Sequence, residues 1–172
     1  KNFRISSRKQ KVNLLNKFGV NFVIIKKFDK KFSKTKSIDF IENILKKKLK
    51  AKFIFVSNNF RFGKRREGNV KQLIDCEKRC KYKIIKPKPL FIKRKIVSSS
   101  LIRSYLQSGR LKEANKLLNR NWSIEGKVQK GKQLGKKIGF PTANIDIKDY
   151  LLATPGVYAV RVQIKNQSKI IK

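Results

Sequence analysis

Three short stretches of this 172-residue chain hold residues whose types and spacing suit ligand chemistry, two of them for phosphate and one for a planar ring. In 98-SSSLIR-103, a serine cluster directly precedes an apolar helical pattern. The hydroxyls of Ser98, Ser99 and Ser100 and the free N–H groups of a helix start would converge on an anion there. Arg103, about one turn further on, carries a planar fork that matches phosphate oxygens. The same residues also fit a plainer arrangement, in which one serine caps the helix and Arg103 is solvated.

The second stretch surrounds 139-GFPTANI-145. Gly131, Gly135 and Gly139 would let the backbone approach a phosphate closely, and Lys132, Lys136 and Lys137 add positive charge. Pro141 stiffens the turn. Thr142 and Asn144 present oxygens two residues apart, a donor set for a hard cation such as Mg²⁺ shared with substrate phosphates, and Asp146 is the accompanying carboxylate. A turn without a ligand accounts for the same glycines and proline. In the third stretch, 59-NFRFGKRREG-68, Phe60 and Phe62 alternate with Arg61 and could cover a planar ring. Asn58 and Asn59 would offer amides to its polar edge. Equally, both rings could be core and the loop a surface turn.

The elements that must hold these residues follow from periodicity. Ser7 and Gln10 have capping-box spacing, Val12, Leu15 and Phe18 follow on one helical face, and Gly19 ends the run. The apolar run 20-VNFVII-25 predicts a buried strand. From Ser37, the positions Ile38, Ile41, Leu45 and Leu49 predict an amphipathic helix, and 52-KFIFVS-57 predicts the next strand. A helix near 69–80 leads to a strand at 82-YKIIK-86. Apolar strands alternating with helices imply an α/β fold with a parallel sheet covered on both faces, and ligands gather beyond the carboxyl ends of such strands. The serine cluster opens a helix through Leu101, Ile102, Tyr105 and Leu106, and 111-LKEANKLLN-119 predicts a connecting helix. From Trp122 the pattern changes: 122-WSIEGKVQKG-131 and 156-GVYAVRVQI-164 alternate as antiparallel strands should. This predicts a second, β-type module, and there is no internal repeat.

Composition bounds the reading. No apolar run approaches the ~20 residues that span a bilayer, and the basic N-terminus lacks an apolar signal core. Cys76 and Cys80 stand four apart, and with no histidine in the chain they cannot complete a zinc site. Reduced thiols fit the cytoplasm. The formal charge of +36 invites a nucleic-acid partner, yet the basic residues are spread along the whole length. The bias toward Lys, Ile, Asn and Phe is also what an AT-rich coding sequence favours, so no specific nucleic acid is expected. The chain has no methionine, which predicts an internal fragment or a processed product.

The order of these motifs resembles the prokaryotic bifunctional riboflavin kinase/FAD synthetase family. The matching residues are 59-NFRFG-63 with Gly68, 97-VSSSLIR-103, 109-GRLKEANKLLNR-120, 139-GFPTANI-145 and 155-PGVYAV-160, nearly the whole chain in the family's order. The resemblance implies a nucleotidyltransferase-type parallel sheet with flanking helices, followed by the start of an antiparallel riboflavin-kinase β-barrel. Residues 1–108 would be the C-terminal part of the FMN adenylyltransferase domain, 109–120 a connecting helix, and 121–172 the N-terminal part of the kinase barrel. It further implies two reactions, riboflavin with ATP giving FMN, and FMN with ATP giving FAD and pyrophosphate.

By the same resemblance Ser98, Ser99, Ser100 and Arg103 would bind ATP phosphates in the first module. Thr142 and Asn144, set between Gly135 and Gly139 and the following strand, would hold Mg²⁺-ATP in the second. Asn59, Phe60 and Phe62 would lie by the flavin. The chain departs from the family at Ser57 and Asn59, where Gly and Asp are usual, and at Ser100, where Thr is usual. The family's His-x-Gly-His segment is absent, and its kinase glutamate is expected beyond Lys172. The resemblance therefore predicts an internal piece of a longer enzyme that carries no catalytic residue and is inactive alone. Two other classes stay open on sequence: a basic RNA-binding protein, and a degenerate paralogue that binds flavin or ATP without turnover.

Overall fold

The computed structural model of the chain describes residues 3–131, 139–147, 150–164 and 170–171. It divides into two compact units, one formed by residues 1–22 with 91–172 and one by residues 23–90. Helix α1 (Arg8–Lys17) opens the first with the expected capping box. Ser7 Oγ accepts from the Gln10 N–H at 3.1 Å, and Gln10 Oε1 accepts from the Ser7 N–H at 2.8 Å. Gly19, with φ of +80°, ends the helix.

The strand predicted at 20–25 does not form. Among the described residues this run pairs with no strand, and Phe22 and Ile24 are 88% and 72% exposed. A strand of this composition needs cover on both faces, and none is present.

In the unit of residues 23–90, Asp29 caps the short helix α2 (Lys30–Ser33) by accepting from the Phe32 N–H at 2.7 Å. Helix α3 (Ser37–Asp39) then runs into a π-helical segment, Phe40–Lys48, whose wider turn shows in the bond from Leu49 N–H to the Ile44 carbonyl. Ile41 and Leu45 are buried on its inner face, as their spacing predicted, while Leu49 is exposed. Strand β1 (Phe53–Phe55) is followed by the hairpin of β2 (Arg61–Phe62) and β3 (Gly68–Asn69). The helix predicted near 69–80 is broken into α4 (Val70–Asp75) and α5 (Glu77–Cys80), leading to β4 (Lys83–Ile85).

Strands β1 and β4 pair in parallel, Ile54 opposite Ile84, so the predicted parallel sheet is present in its minimal form. The core beneath it collects Ile41, Leu73, Tyr82, Ile84 and both cysteines, which are free thiols. Only one face is covered. Ile54 and Val56 pack on the core, whereas Phe53 and Phe55 are 64% and 66% exposed.

In the other unit a tight hairpin joins β5 (Phe91–Ile92) to β6 (Lys95–Ile96), with positive φ at both Lys93 and Arg94 as such turns require. Helices α6 (Ser99–Gln107) and α7 (Leu111–Leu118) pack together about Ile102, Leu106 and Ala114, with Leu151 completing the core. The helix pair lies on both sides of residues 108–110, so the boundary region read from sequence falls inside this unit. Trp122 Nε1 donates to the Ile5 carbonyl and Leu151 N–H to the Arg4 carbonyl, both at 2.8 Å, tying the first residues to the last third of the chain.

Beyond Trp122 the ordered ladders are short. Strand β7 (Val128–Gln129) pairs antiparallel with β8 (Asn144–Ile145), and β9 (Val162–Gln163) with β10 (Ile170–Ile171). The longer strands predicted for 122–131 and 156–164 contract to those pairs, and Val160 remains exposed.

Candidate functional site

The aromatic loop does line a cleft. Asn58, Asn59, Phe60, Arg61, Arg66, Asn69, Val70 and Lys71 line an open depression of about 470 Å³ beyond the carboxyl end of β1. The two phenylalanines divide the work. Phe60 is half-buried at the wall, and its ring stacks on Phe62 at 5.6 Å with 17° between planes. Phe62 is 7% exposed, belongs to the core and also meets Phe40 at 5.5 Å. The ring expected to face a ligand at position 62 is thus enclosed by packing. It fills a space that only a glycine at 68 leaves open, since a Cβ there would stand 2.7 Å from Phe62 Cε2.

Asn59 is exposed, and its Oδ1 accepts from Ser57 Oγ at 3.0 Å. Two of the three residues that depart from the family pattern are therefore bonded to each other. Asn69, also in the lining, caps α4, its Oδ1 accepting from the Gln72 N–H at 3.0 Å. Its capping spacing was legible in the sequence. Arg66 and Lys71 were not, because nothing separates them from the many other cations. Arg61, Arg66 and Lys71 make the lining cationic, an arrangement suited to an anionic ligand with a planar part.

The serine cluster forms the start of α6, as predicted. Ser98 is extended, with φ of −143° and ψ of 154°, and its Oγ accepts from the Leu101 N–H at 3.2 Å. Ser98, Ser99 and Ser100 are all exposed. One hydroxyl caps the helix and two stand beside the unbonded first turn. Arg103 is half-buried rather than simply solvated: its Nε donates to the Phe3 carbonyl at 2.8 Å.

At the Pro-Thr-Ala-Asn corner, Gly139 has φ of +84° and open space around its Cα, and Thr142 and Asn144 are exposed. Asn144 opens β8, and its carboxamide fills the volume that a side chain at Gly131 would need. The glycine read as permitting close phosphate approach thus permits close approach of Asn144. Gly135, Lys132, Lys136 and Lys137 lie outside the described residues. Thr142 and Asn144 are neutral oxygen donors, and no group of three His, Cys, Asp or Glu able to hold a metal occurs among the described residues. Such a pair fits Mg²⁺ only when nucleotide phosphates supply the negative charge. The serine helix start and this corner belong to one compact unit, the aromatic cleft to the other.

Comparison with known proteins groups these parts differently, placing the start of the serine helix with the aromatic cleft and the corner apart. Residues 1–101 match the family model described as FAD synthetase, and residues 118–171 match the one described as riboflavin kinase. A bifunctional riboflavin kinase/FMN adenylyltransferase from Buchnera aphidicola subsp. Schizaphis graminum is 35% identical over 169 residues, 98% of this chain and 54% of the relative. Its namesake from Escherichia coli (strain K12) is 33% identical over 159 residues, 92% of this chain and 51% of the relative. The chain thus spans about half the length of the curated relatives it matches.

Among solved structures, the crystal structure of a macrolide-efflux protein from Streptococcus pneumoniae is similar, with a TM-score of 0.79 and 27% identity. That match covers 95% of this chain and 52% of the other. No helix among the described residues is long and apolar enough to cross a membrane. With its first 101 residues matched and both the aromatic cleft and the serine helix start inside that span, the chain belongs to the FAD synthetase family.

Proposed function

We propose that the chain is part of a flavin-nucleotide enzyme that phosphorylates riboflavin to FMN and adenylylates FMN to FAD, each time from ATP. The observation that carries this reading is the succession of two matches, FAD synthetase over 1–101 and riboflavin kinase over 118–171. Residues 1–108 then belong to the adenylyltransferase module, 109–120 connect, and 121–172 begin the kinase barrel. In the first module the start of α6 receives ATP phosphates, with Ser99 and Ser100 as exposed donors and Arg103 oriented by its bond to Phe3. Phe60 and Asn59 contact the flavin across the cationic cleft, and Phe62 acts from behind as the platform for Phe60.

In the kinase module Thr142 and Asn144 would hold Mg²⁺ together with ATP phosphates, with Gly139 beside them in the chain and Gly135 as a further phosphate-binding position. The cation neutralises phosphate charge when bound. Both reactions are phosphoryl or nucleotidyl transfers, in which positioning and charge neutralisation supply most of the rate. We place the enzyme in the cytoplasm, with ATP, riboflavin and FMN as partners.

The test is conversion by the whole polypeptide. It should turn riboflavin into FMN and then FAD with Mg²⁺-ATP, while the 172-residue chain turns over neither step. Absence of FMN from the whole polypeptide would overturn the reading. A second reading, an adenylyltransferase module that binds without turnover, draws on the bond between Ser57 and Asn59. It predicts FMN as the end product, with no FAD.

A further inference from the structure

Residues 3–5 give three successive carbonyls to three different elements. The Phe3 carbonyl accepts from Arg103 Nε on α6, that of Arg4 from the Leu151 N–H, and that of Ile5 from Trp122 Nε1, each at 2.8 Å. Only the φ and ψ of Arg4 and Ile5 separate the three peptide planes, so holding two of these carbonyls leaves the third little freedom to turn. The neighbours of the segment are held as well. Arg4 forms a parallel bridge with Tyr150, Ile5 packs against the core of the helix pair beside Trp122, and Arg120 donates to Ser6 Oγ at 2.8 Å. The buried phenol of Tyr150 is in turn fixed on Gln10 of α1 at 3.0 Å.

The gripping residues and the gripped ones belong to different matches. Residues 3–5 lie in the FAD synthetase match, whereas Trp122, Tyr150 and Leu151 lie in the riboflavin kinase match. What the grip controls is the guanidinium of Arg103. Its Nε is committed to the Phe3 carbonyl, and among the described residues its two Nη groups have no hydrogen-bond partner. A guanidinium is a rigid plane, so the carbonyl that holds Nε also sets where the open Nη pair points. That pair is the end-on fork through which an arginine meets two phosphate oxygens.

We propose that Trp122 and Tyr150 are positioning residues for the adenylyl-transfer step. By fixing residues 3–5 they hold the Phe3 carbonyl, and through it they aim Arg103 at the phosphates received at the start of α6. Two side chains of the kinase module thus complete the nucleotide site of the other module. The role given to Arg103 rests on the flavin-enzyme reading; the grip on residues 3–5 does not.

One measurement needs no nucleotide. In the 172-residue chain the Nε–H signal of Arg103, assigned by its loss in Arg103→Ala, is followed by NMR hydrogen exchange. Trp122→Phe and Tyr150→Phe should each speed that exchange roughly 5-fold, since each deletes a bond that keeps the segment in place. Unchanged exchange in both variants overturns the proposal. In the complete polypeptide the same two variants should raise the KM for ATP in FAD formation roughly 5-fold, with its kcat and the rate of FMN formation within about twofold of wild type. In an Arg103→Ala background neither should raise that KM further, because the group they aim is gone. Equal losses in both reactions, or the full increment added on top of Arg103→Ala, mark a merely structural part and overturn the proposal. No FAD from the complete wild-type polypeptide overturns the enzyme reading and the role of Arg103 with it, while faster exchange would still establish the grip on residues 3–5.

Discussion

The phenol of Tyr150 donates to the side-chain oxygen of Gln10 at 3.0 Å, joining residues 140 positions apart. Both side chains are buried. The Gln10 oxygen also closes the capping box on Ser7, and its nitrogen donates to the Ser123 carbonyl and hydroxyl. Tyr150 in turn accepts from the Glu125 N–H at 3.1 Å. One carboxamide therefore links α1, inside the FAD synthetase match, to two segments of the riboflavin kinase match. Tyr150→Phe should lower stability by about 1–2 kcal/mol in urea unfolding, and Gln10→Ala by more, since it strands several buried partners.

Phe60 and Phe62 should separate stability from binding. Phe62→Ala empties a core position and should cost about 3–5 kcal/mol. Phe60→Ala removes a half-buried wall and should cost less, while weakening FMN binding by the complete polypeptide as read by titration. Equal losses of affinity with no difference in stability would refute the division of roles.

Gly68→Ala should destabilise through overpacking. The added methyl would meet the Phe62 ring at 2.7 Å and Ser37 Cβ at 2.8 Å, and both of those residues are buried. A loss of about 1–3 kcal/mol is expected, visible as a lower Tm with the secondary structure intact.

Alkaline pH should expose the burial of Tyr82. Its hydroxyl donates to the Leu73 carbonyl at 2.8 Å, and burial, with the nearby thiols next, pushes its pKa above the usual tyrosine range. The unfolded chain releases this proton near the ordinary value, ~10, whereas the folded chain retains it. Above that pH the folded state binds more protons, so stability should fall as pH rises. The fall should be smaller in Tyr82→Phe, measured as urea midpoints from pH 8 to 11.

In the complete polypeptide, Thr142→Ala and Asn144→Ala should each reduce riboflavin phosphorylation by roughly 10–100-fold, with a raised Mg²⁺ requirement. Ser99→Ala with Ser100→Ala should instead depress FAD formation and leave the first step intact. Because Ser98 alone caps α6, Ser98→Ala should also cost about 1 kcal/mol of stability.

Local signals carried the sequence a long way. The capping box at Ser7 and Gln10, the serine start of α6 and the helix 111–118 depend on neighbours a few residues off, and all are present. The order of motifs likewise points to a flavin-nucleotide family. What local pattern could not decide was cover. The run 20–25 and the pair Phe53 and Phe55 read as buried from composition, but burial is a property of what packs against a residue, and among the described residues nothing covers Phe22, Ile24, Phe53 or Phe55. The same logic separated Phe60 from Phe62. Alternation alone left both possible as ligand contacts, and only the gap at Gly68, drawn close by the β2–β3 hairpin, sent one ring into the core and left the other at the wall. Gln10 and Tyr150 make the point at its longest range: no spacing in the chain foretells a hydrogen bond across 140 residues, because only folding brings the two together.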